Sequence, residues 1–197
     1  MKYDLLLKLS GNVFQGMIKP GIKDKAKLKL IKKEYKDIMT NAKDIGNRNV
    51  LIISYAMGAY FIAMVRHSDL DPDTCIKIFH DGIKKSKFTK MSLGNAKAYF
   101  SKKKRLKRRK WSSETKQRKY KNDWVVEINE TDPNVYEIDY LECGLCKLCK
   151  DEGCFELAKY LCSLDFMLAD VMGLHLNRTS TIAEGGKMCD FKYTIKK

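Results

Sequence analysis

From Lys25 to Ile45, apolar residues recur at Leu28, Ile31, Tyr35, Ile38, Ala42 and Ile45, a spacing that lays one stripe along a helix, and Gly46 follows as a stop signal. The outer face of this helix is rich in lysine. The segment before it, through Pro20-Gly21, reads as a short helix and a turn. Val50 to Val65 is almost continuously apolar. Its 16 residues, with Ser54 and Gly58 inside, fall short of the ~20 that a membrane-spanning helix needs, so the stretch predicts a helix buried in a core. Ser68-Asp69-Leu70-Asp71-Pro72 then offers capping oxygens and a proline suited to a first helical turn, which predicts a helix over Pro72–Lys85 with Cys75, Ile76, Ile78 and Phe79 inward.

After Asp123 the period changes to two. Trp124, Val126 and Ile128 alternate with Val125, Glu127 and Asn129, and a Thr-Asp-Pro-Asn turn at 131–134 leads to alternating Tyr136, Ile138 and Tyr140, which predicts a strand, a turn and a strand. Cys154 to Gly173 returns to helical spacing. At ~100° per residue, Leu157, Leu161, Leu168 and Met172 form its apolar stripe, and Asp165 falls beside them. A carboxylate there is costly unless it is paired, hydrogen-bonded or used. Leu174–Ala183 and Met188–Ile195 predict a second hairpin around Glu184-Gly185-Gly186-Lys187, with Cys189, Phe191, Tyr193 and Ile195 on one face. The expected fold is therefore α+β: N-terminal helices packed on a C-terminal antiparallel sheet of two hairpins joined by a helix. A helical, basic part over 1–122 and a cysteine-rich part over 123–197 are expected to form one compact unit.

Charge adds one asymmetry to this picture. Residues 1–110 hold 27 Lys/Arg against 9 Asp/Glu, a net +18, whereas residues 111–197 hold 12 against 15, a net −3. Eight of the nine residues from Lys102 to Lys110 are basic, and Lys116, Arg118, Lys119 and Lys121 follow. Such a run over 102–121 can bind the phosphate backbone of a nucleic acid, but no recognition motif accompanies it, and a solvated helix face or linker is the preferred reading. Met1–Ser10 has neither the apolar core nor the cleavage site of a secretory signal, so a cytoplasmic location with reduced thiols is expected, and no membrane partner.

Six of the seven cysteines lie between Glu142 and Tyr193. Cys143, Cys146, Cys149 and Cys154 are spaced C-x2-C-x2-C-x4-C, which invites a zinc ion or an iron–sulfur cluster, provided that a turn brings the thiolates together. Gly144 and Gly153 are available to make one. Reduced thiols packed in a turn, and redox pairing among them, are the other readings. His175 is the histidine of this half of the chain; a structural role is preferred to a Cys-His dyad. Cys75 and His80 stand apart from other ligand-type residues and read as a packed thiol and an ordinary histidine.

E-C-G-L-C-K-L-C-K-D-E-G-C-F-E-L-A-K-Y-L-C-S-L-D at 142–165, followed by L-N-R-T-S-T-I-A-E-G-G-K-M-C-D-F at 176–191, resembles the family of L-2-amino-thiazoline-4-carboxylic acid hydrolases and their bacterial relatives. The preceding W-S-S-E-T-K-Q-R-K-Y-K-N-D-W-V-V-E fits as well. The resemblance implies hydrolysis of a thiazoline or cyclic amidine ring in a small carboxylate substrate, opening it between the amidine-like carbon and sulfur. Chemistry then matches residues to tasks. Arg178, with Thr181 and His175 near it in sequence, is the candidate for binding the substrate carboxylate. Asp165 or Glu184 is the candidate base, and Cys162 or Cys189 the candidate nucleophile or pocket wall. A non-catalytic small-ligand or redox-sensing protein and a nucleic-acid-associated protein are the alternatives.

Overall fold

The structure, a computed structural model, describes residues 4–46, 49–129 and 132–196. Its elements are α1 (Leu5–Ile18), α2 (Lys25–Asn41), α3 (Ile52–His67), α4 (Pro72–Lys85), α5 (Lys87–Leu93), α6 (Ala96–Tyr99), α7 (Lys102–Thr115), β1 (Val125–Asn129), β2 (Val135–Glu142), α8 (Gly144–Asp151), α9 (Ala158–Val171), β3 (Leu174–Asn177) and β4 (Cys189–Ile195). The four strands form one antiparallel sheet in the order β1-β2-β4-β3. The α+β architecture is the expected one: two hairpins, joined through α8 and α9.

The apolar stretch becomes α3, and it is the hub of the helical part. Tyr55, Ala56, Ala59 and Tyr60 through Met64 are all fully buried, because α1, α2, α4 and α8 pack around it. Phe14, Tyr35, Tyr60 and Phe79 meet there with ring centroids 5.2–6.4 Å apart, a range in which aromatic pairs add to the area they bury. The Tyr35 hydroxyl donates to the Leu7 carbonyl at 2.9 Å, so that deep polar group is satisfied. Asp24 caps α2, and Asp71 caps α4 ahead of Pro72, as the sequence pattern requires. Cys75 is packed in the core beside Ser68 (Sγ–Oγ 3.3 Å), and His80 reaches Ser163 of α9 at 3.3 Å.

Three boundaries differ from the pattern, each for a tertiary reason. The α2 helix ends at Asn41, not Ile45: the Asp44 carboxylate takes the Gly46 N–H at 2.8 Å, and the Asp44 carbonyl accepts from Asn122 at 3.0 Å, so the backbone groups that would continue the helix are used elsewhere. The segment ahead of Pro20 is a full helix, α1. The β3 strand stops at Asn177 rather than reaching Ala183, because the Asp190 carboxylate captures the N–H groups of Thr179 (2.9 Å) and Ser180 (2.6 Å). The turn expected at 131–134 begins outside the described residues; within them, Asp132 accepts the Asn134 N–H at 2.7 Å.

Lys102, Lys103, Lys104, Lys107, Arg109 and Lys110 face solvent along α7. Its other side packs on the sheet: Trp111, Ser112 and Thr115 are buried, the Ser112 hydroxyl donates to the Val126 carbonyl at 2.9 Å, and Thr115 Oγ1 accepts the Val126 N–H at 3.2 Å. Arg108 lies over the rings of Tyr99 (3.7 Å) and Tyr136 (4.2 Å), within cation–π range. No helix among the described residues is long and apolar enough to cross a membrane.

Helices α1 and α4 approach at Gly82, where an added Cβ would stand 2.5 Å from the Met17 carbonyl oxygen and 2.6 Å from Met17 Cβ. Gly82→Ala is expected to lower the unfolding free energy by about 1–3 kcal/mol, because backbone must shift. Gly16→Ala meets nothing within 4 Å and is expected to be neutral or to stabilise by up to ~1 kcal/mol through helix propensity. Urea unfolding of the two variants checks the pair; equal effects would contradict the packing.

Candidate active site

The site is assembled where α3, α8, α9 and the inner face of the sheet meet. Gly144 opens α8 directly on Trp124: a Cβ there would lie 2.8 Å from the indole ring and 2.9 Å from the Asn122 carbonyl oxygen. The segment 122–124 is itself tied down. Buried Asn122 donates to Asp151 at 2.7 Å, Asp123 accepts from Asn49 at 2.5 Å, and Lys147 donates to the Asp123 carbonyl at 2.7 Å and to Glu142 at 2.5 Å. Together these contacts set the start of α8, and with it Cys143, against the first strand.

On the opposite side, the loop 178–188 is locked by its own side chains. Thr181 and Glu184 cap each other: Glu184 N–H donates to Thr181 Oγ1 at 3.2 Å, and that hydroxyl donates to the Glu184 carboxylate at 2.7 Å. Gly185 takes a positive φ of 91°, and at Gly186 a Cβ would fall 2.1 Å from Ser180 Oγ, so the Gly-Gly pair is what allows the chain to turn here. The Ile182 N–H then meets the Cys189 sulfur at 3.2 Å. Thr181 and Glu184 thus shape the loop, while Arg178 and Cys189 at its two ends face inward.

Arg178 and Asp165 form the centre. Arg178 Nη1 donates to Asp165 Oδ2 at 2.9 Å and to the Cys162 carbonyl at 3.1 Å, and its guanidinium lies over Phe166 (4.7 Å) and Phe191 (5.2 Å). The arginine side chain is only 8% exposed, whereas Asp165 keeps 33%. That remaining face of Asp165 lines a narrow cavity of about 90 Å³, with Leu51, Ser54, Trp124, Tyr140, Leu145, Phe191 and the thiols of Cys143, Cys162 and Cys189. The volume is well under the ~300 Å³ at which drug-sized sites begin, so it suits a small molecule. A larger hollow of about 310 Å³, among Ile45, Trp111, Tyr120 and Asp123, contains none of the residues that the sequence motifs single out.

Burial raises the Asp165 carboxyl to about 7, against the charge and hydrogen bond of Arg178, which pull it down. It is therefore divided between its acid and base forms near neutrality. The three thiols differ in the same pocket. Burial pushes Cys162 up, with the nearby Asp165 charge adding to it, and burial takes Cys189 to about 11. Cys143 moves the other way: the Cys146 thiol and, beyond the opposing effect of burial, the N–H groups of Cys146 and Leu145 hold its sulfur below the ordinary thiol range. Tyr140, pushed well above its usual range by burial, remains an O–H donor.

The four cysteines of the motif are spread along α8: Cys143 is its N-cap, Cys146 and Cys149 lie on it, and Cys154 follows it, its N–H donating to the Cys149 carbonyl at 2.8 Å. The expected turn is instead the helix α8, which carries Cys146 and Cys149, and among the described residues no three His, Cys, Asp or Glu side chains come together as a metal site. His175 lies exposed on β3, outside the cavity. The family model for L-2-amino-thiazoline-4-carboxylic acid hydrolase matches residues 49–193, most of the chain. The chain belongs to this family. The match spans every residue lining the cavity. No curated protein and no solved structure matches the chain.

Sequence reasoning placed Asp165, Cys162, Cys189 and Arg178 in the site but not its other wall. Trp124 and Tyr140 were visible only as inward positions of alternating strands. Ser54 stood out solely as a polar break in an apolar helix, which in hindsight is the signal that this helix end faces a cavity.

Arg178→Met is expected to destabilise the fold by about 1.5–3 kcal/mol, the range for a hydrogen bond to a charged group. The loss should be larger near pH 8 than near pH 5. Below 7 the wild-type carboxyl is already protonated in the fold, and only above it does the arginine stabilise a carboxylate. Urea unfolding at the two pH values measures this, and equal losses would show that Asp165 does not titrate in that window.

Proposed function

We propose that this protein hydrolyses a small cyclic amidine carboxylate of the 2-amino-thiazoline type, with Asp165 as the acid–base group. The observation that carries the reading is the Asp165 carboxyl itself: it faces a cavity of small-molecule size, it is held from behind by Arg178, and it is raised to about 7. Membership of the hydrolase family supports the substrate class.

In this reading the ring lies among Trp124, Tyr140 and Phe191, with its amidine carbon toward Asp165. The carboxylate form of Asp165 takes a proton from a water molecule as the water oxygen bonds to that carbon. The tetrahedral adduct then collapses. Its carbon–sulfur bond breaks, the ring sulfur leaves with the proton returned by Asp165, and the open product carries a carbamoyl group and a free thiol. Tyr140 offers an O–H to the nitrogen or oxygen on which charge accumulates. Arg178 is a positioning residue here, since its Nη1 donates to Asp165 and to the Cys162 carbonyl.

Incubation with 2-amino-thiazoline-4-carboxylate, with the ring-opened product followed by liquid chromatography and mass spectrometry, tests the assignment. Turnover is expected, with a pH limb rising through about 7, and Asp165→Asn should lower kcat/KM by ~10²–10⁴-fold. Turnover no greater than that of the folded Asp165→Asn variant would remove the assignment.

A further inference from the structure

The cavity beside Asp165 holds a hydroxyl that differs from the others carried by helices. Ser54 is the third residue of α3, and it lines the cavity together with Leu51, the residue that precedes the helix. Elsewhere in the helices, the hydroxyls of Ser10, Thr40 and Ser113 donate to the carbonyl four residues back, at 2.8, 2.7 and 3.2 Å. Four residues before Ser54 stands Val50, outside α3, and the Ser54 hydroxyl makes no hydrogen bond among the described residues. It is an unspent donor in the cavity wall.

The charges around the cavity give this donor a task. Among the described residues that line it, Asp165 is the one charged side chain, and Arg178 stands behind Asp165, outside the lining. A carboxylate that enters therefore meets no cation on the wall. Neutral donors must hold it, because an anion without hydrogen bonds in a buried site is costly.

We propose that Ser54 recognises the carboxylate of the substrate, donating its hydroxyl to one carboxylate oxygen. The substrate's identity rests on the hydrolase reading given above, in which Trp124 is a face for the ring and Tyr140 serves the reacting atoms. The three thiols of the wall are weak donors, which leaves Ser54 for the carboxylate. Ser54 comes from α3, Tyr140 from β2 and Asp165 from α9, so separate walls address the amidine carbon and the carboxylate of one small ring. Ser54 thereby takes the task for which the sequence suggested Arg178, whose Nη1 is engaged by Asp165 and the Cys162 carbonyl.

The test uses two probes: 2-aminothiazole-4-carboxylate, the aromatic analogue whose ring resists opening, and 2-aminothiazole, which lacks the carboxylate. Each is titrated by calorimetry into wild-type protein and Ser54→Ala at a pH below 7, where Asp165 is mostly protonated. Ser54→Ala is expected to bind the carboxylate probe about 10–100-fold more weakly, the loss of a hydrogen bond to a charged group, and to bind 2-aminothiazole as the wild type does. Its urea midpoint should match that of the wild type, because the hydroxyl bonds to nothing in the fold. Equal binding of the carboxylate probe by the two proteins overturns the proposal, as does a parallel loss of both probes or a wild type that binds neither. Ser54-dependent binding without turnover of 2-amino-thiazoline-4-carboxylate overturns hydrolysis alone and leaves the carboxylate contact standing.

Discussion

A guanidinium removed from water must be paired, and in this molecule the partner of Arg178 is Asp165. The two come from separate elements, α9 on one side and the start of the loop after β3 on the other. Taking the guanidinium out of water is expensive, and the geometry offsets it with a charged hydrogen bond, a carbonyl acceptor at Cys162 and two aromatic rings against the guanidinium. The pair therefore locates the second hairpin on α9, and in doing so it fixes the carboxyl at the wall of a cavity. The same burial that makes the pair demanding raises the carboxyl to about 7, where it can exchange a proton at neutral pH.

The rest of the cavity is built so that one pocket contains unlike groups. Three thiols line it, and the one at the head of α8 is shifted in the opposite direction from the other two. Burial raises both Cys162 and Cys189, although the Cys189 sulfur accepts the Ile182 N–H at 3.2 Å. Thiols and a carboxyl thus share a space too small for a large ligand.

Local patterns carried much of this arrangement. The stripe of α2, the apolar run that became α3, the caps of α4 and the alternation in β1, β2 and β4 all correspond to elements, because in each case the nearest neighbours in sequence decide the conformation. The position of Asp165 beside an apolar stripe was legible for the same reason, and it pointed to the site. What sequence could not show were the effects of distant partners. Asp190 ends β3 by taking two N–H groups, and Asn122 together with Asp44 ends α2. Arg178 read as a carboxylate binder or a salt-bridging residue, and nothing local reveals that its Nη1 reaches Asp165 and the Cys162 carbonyl on α9. The close spacing of the four cysteines invited a ligand set as well as packed reduced thiols, but it could not show how they would be spread: Cys143 caps α8, Cys146 and Cys149 lie on it, and Cys154 follows the Gly153 bend, where φ is 66°.

The central claim is that Asp165 is a carboxyl poised near neutrality by burial and by Arg178. Carbon-13 NMR of protein labelled at aspartate carboxyls, with the Asp165 signal assigned by its loss in Asp165→Asn, reads this group directly as pH is varied. A midpoint near 7 is the predicted result. A midpoint near the ordinary ~3.9 of an aspartate would contradict it and leave the cavity without its acid–base group.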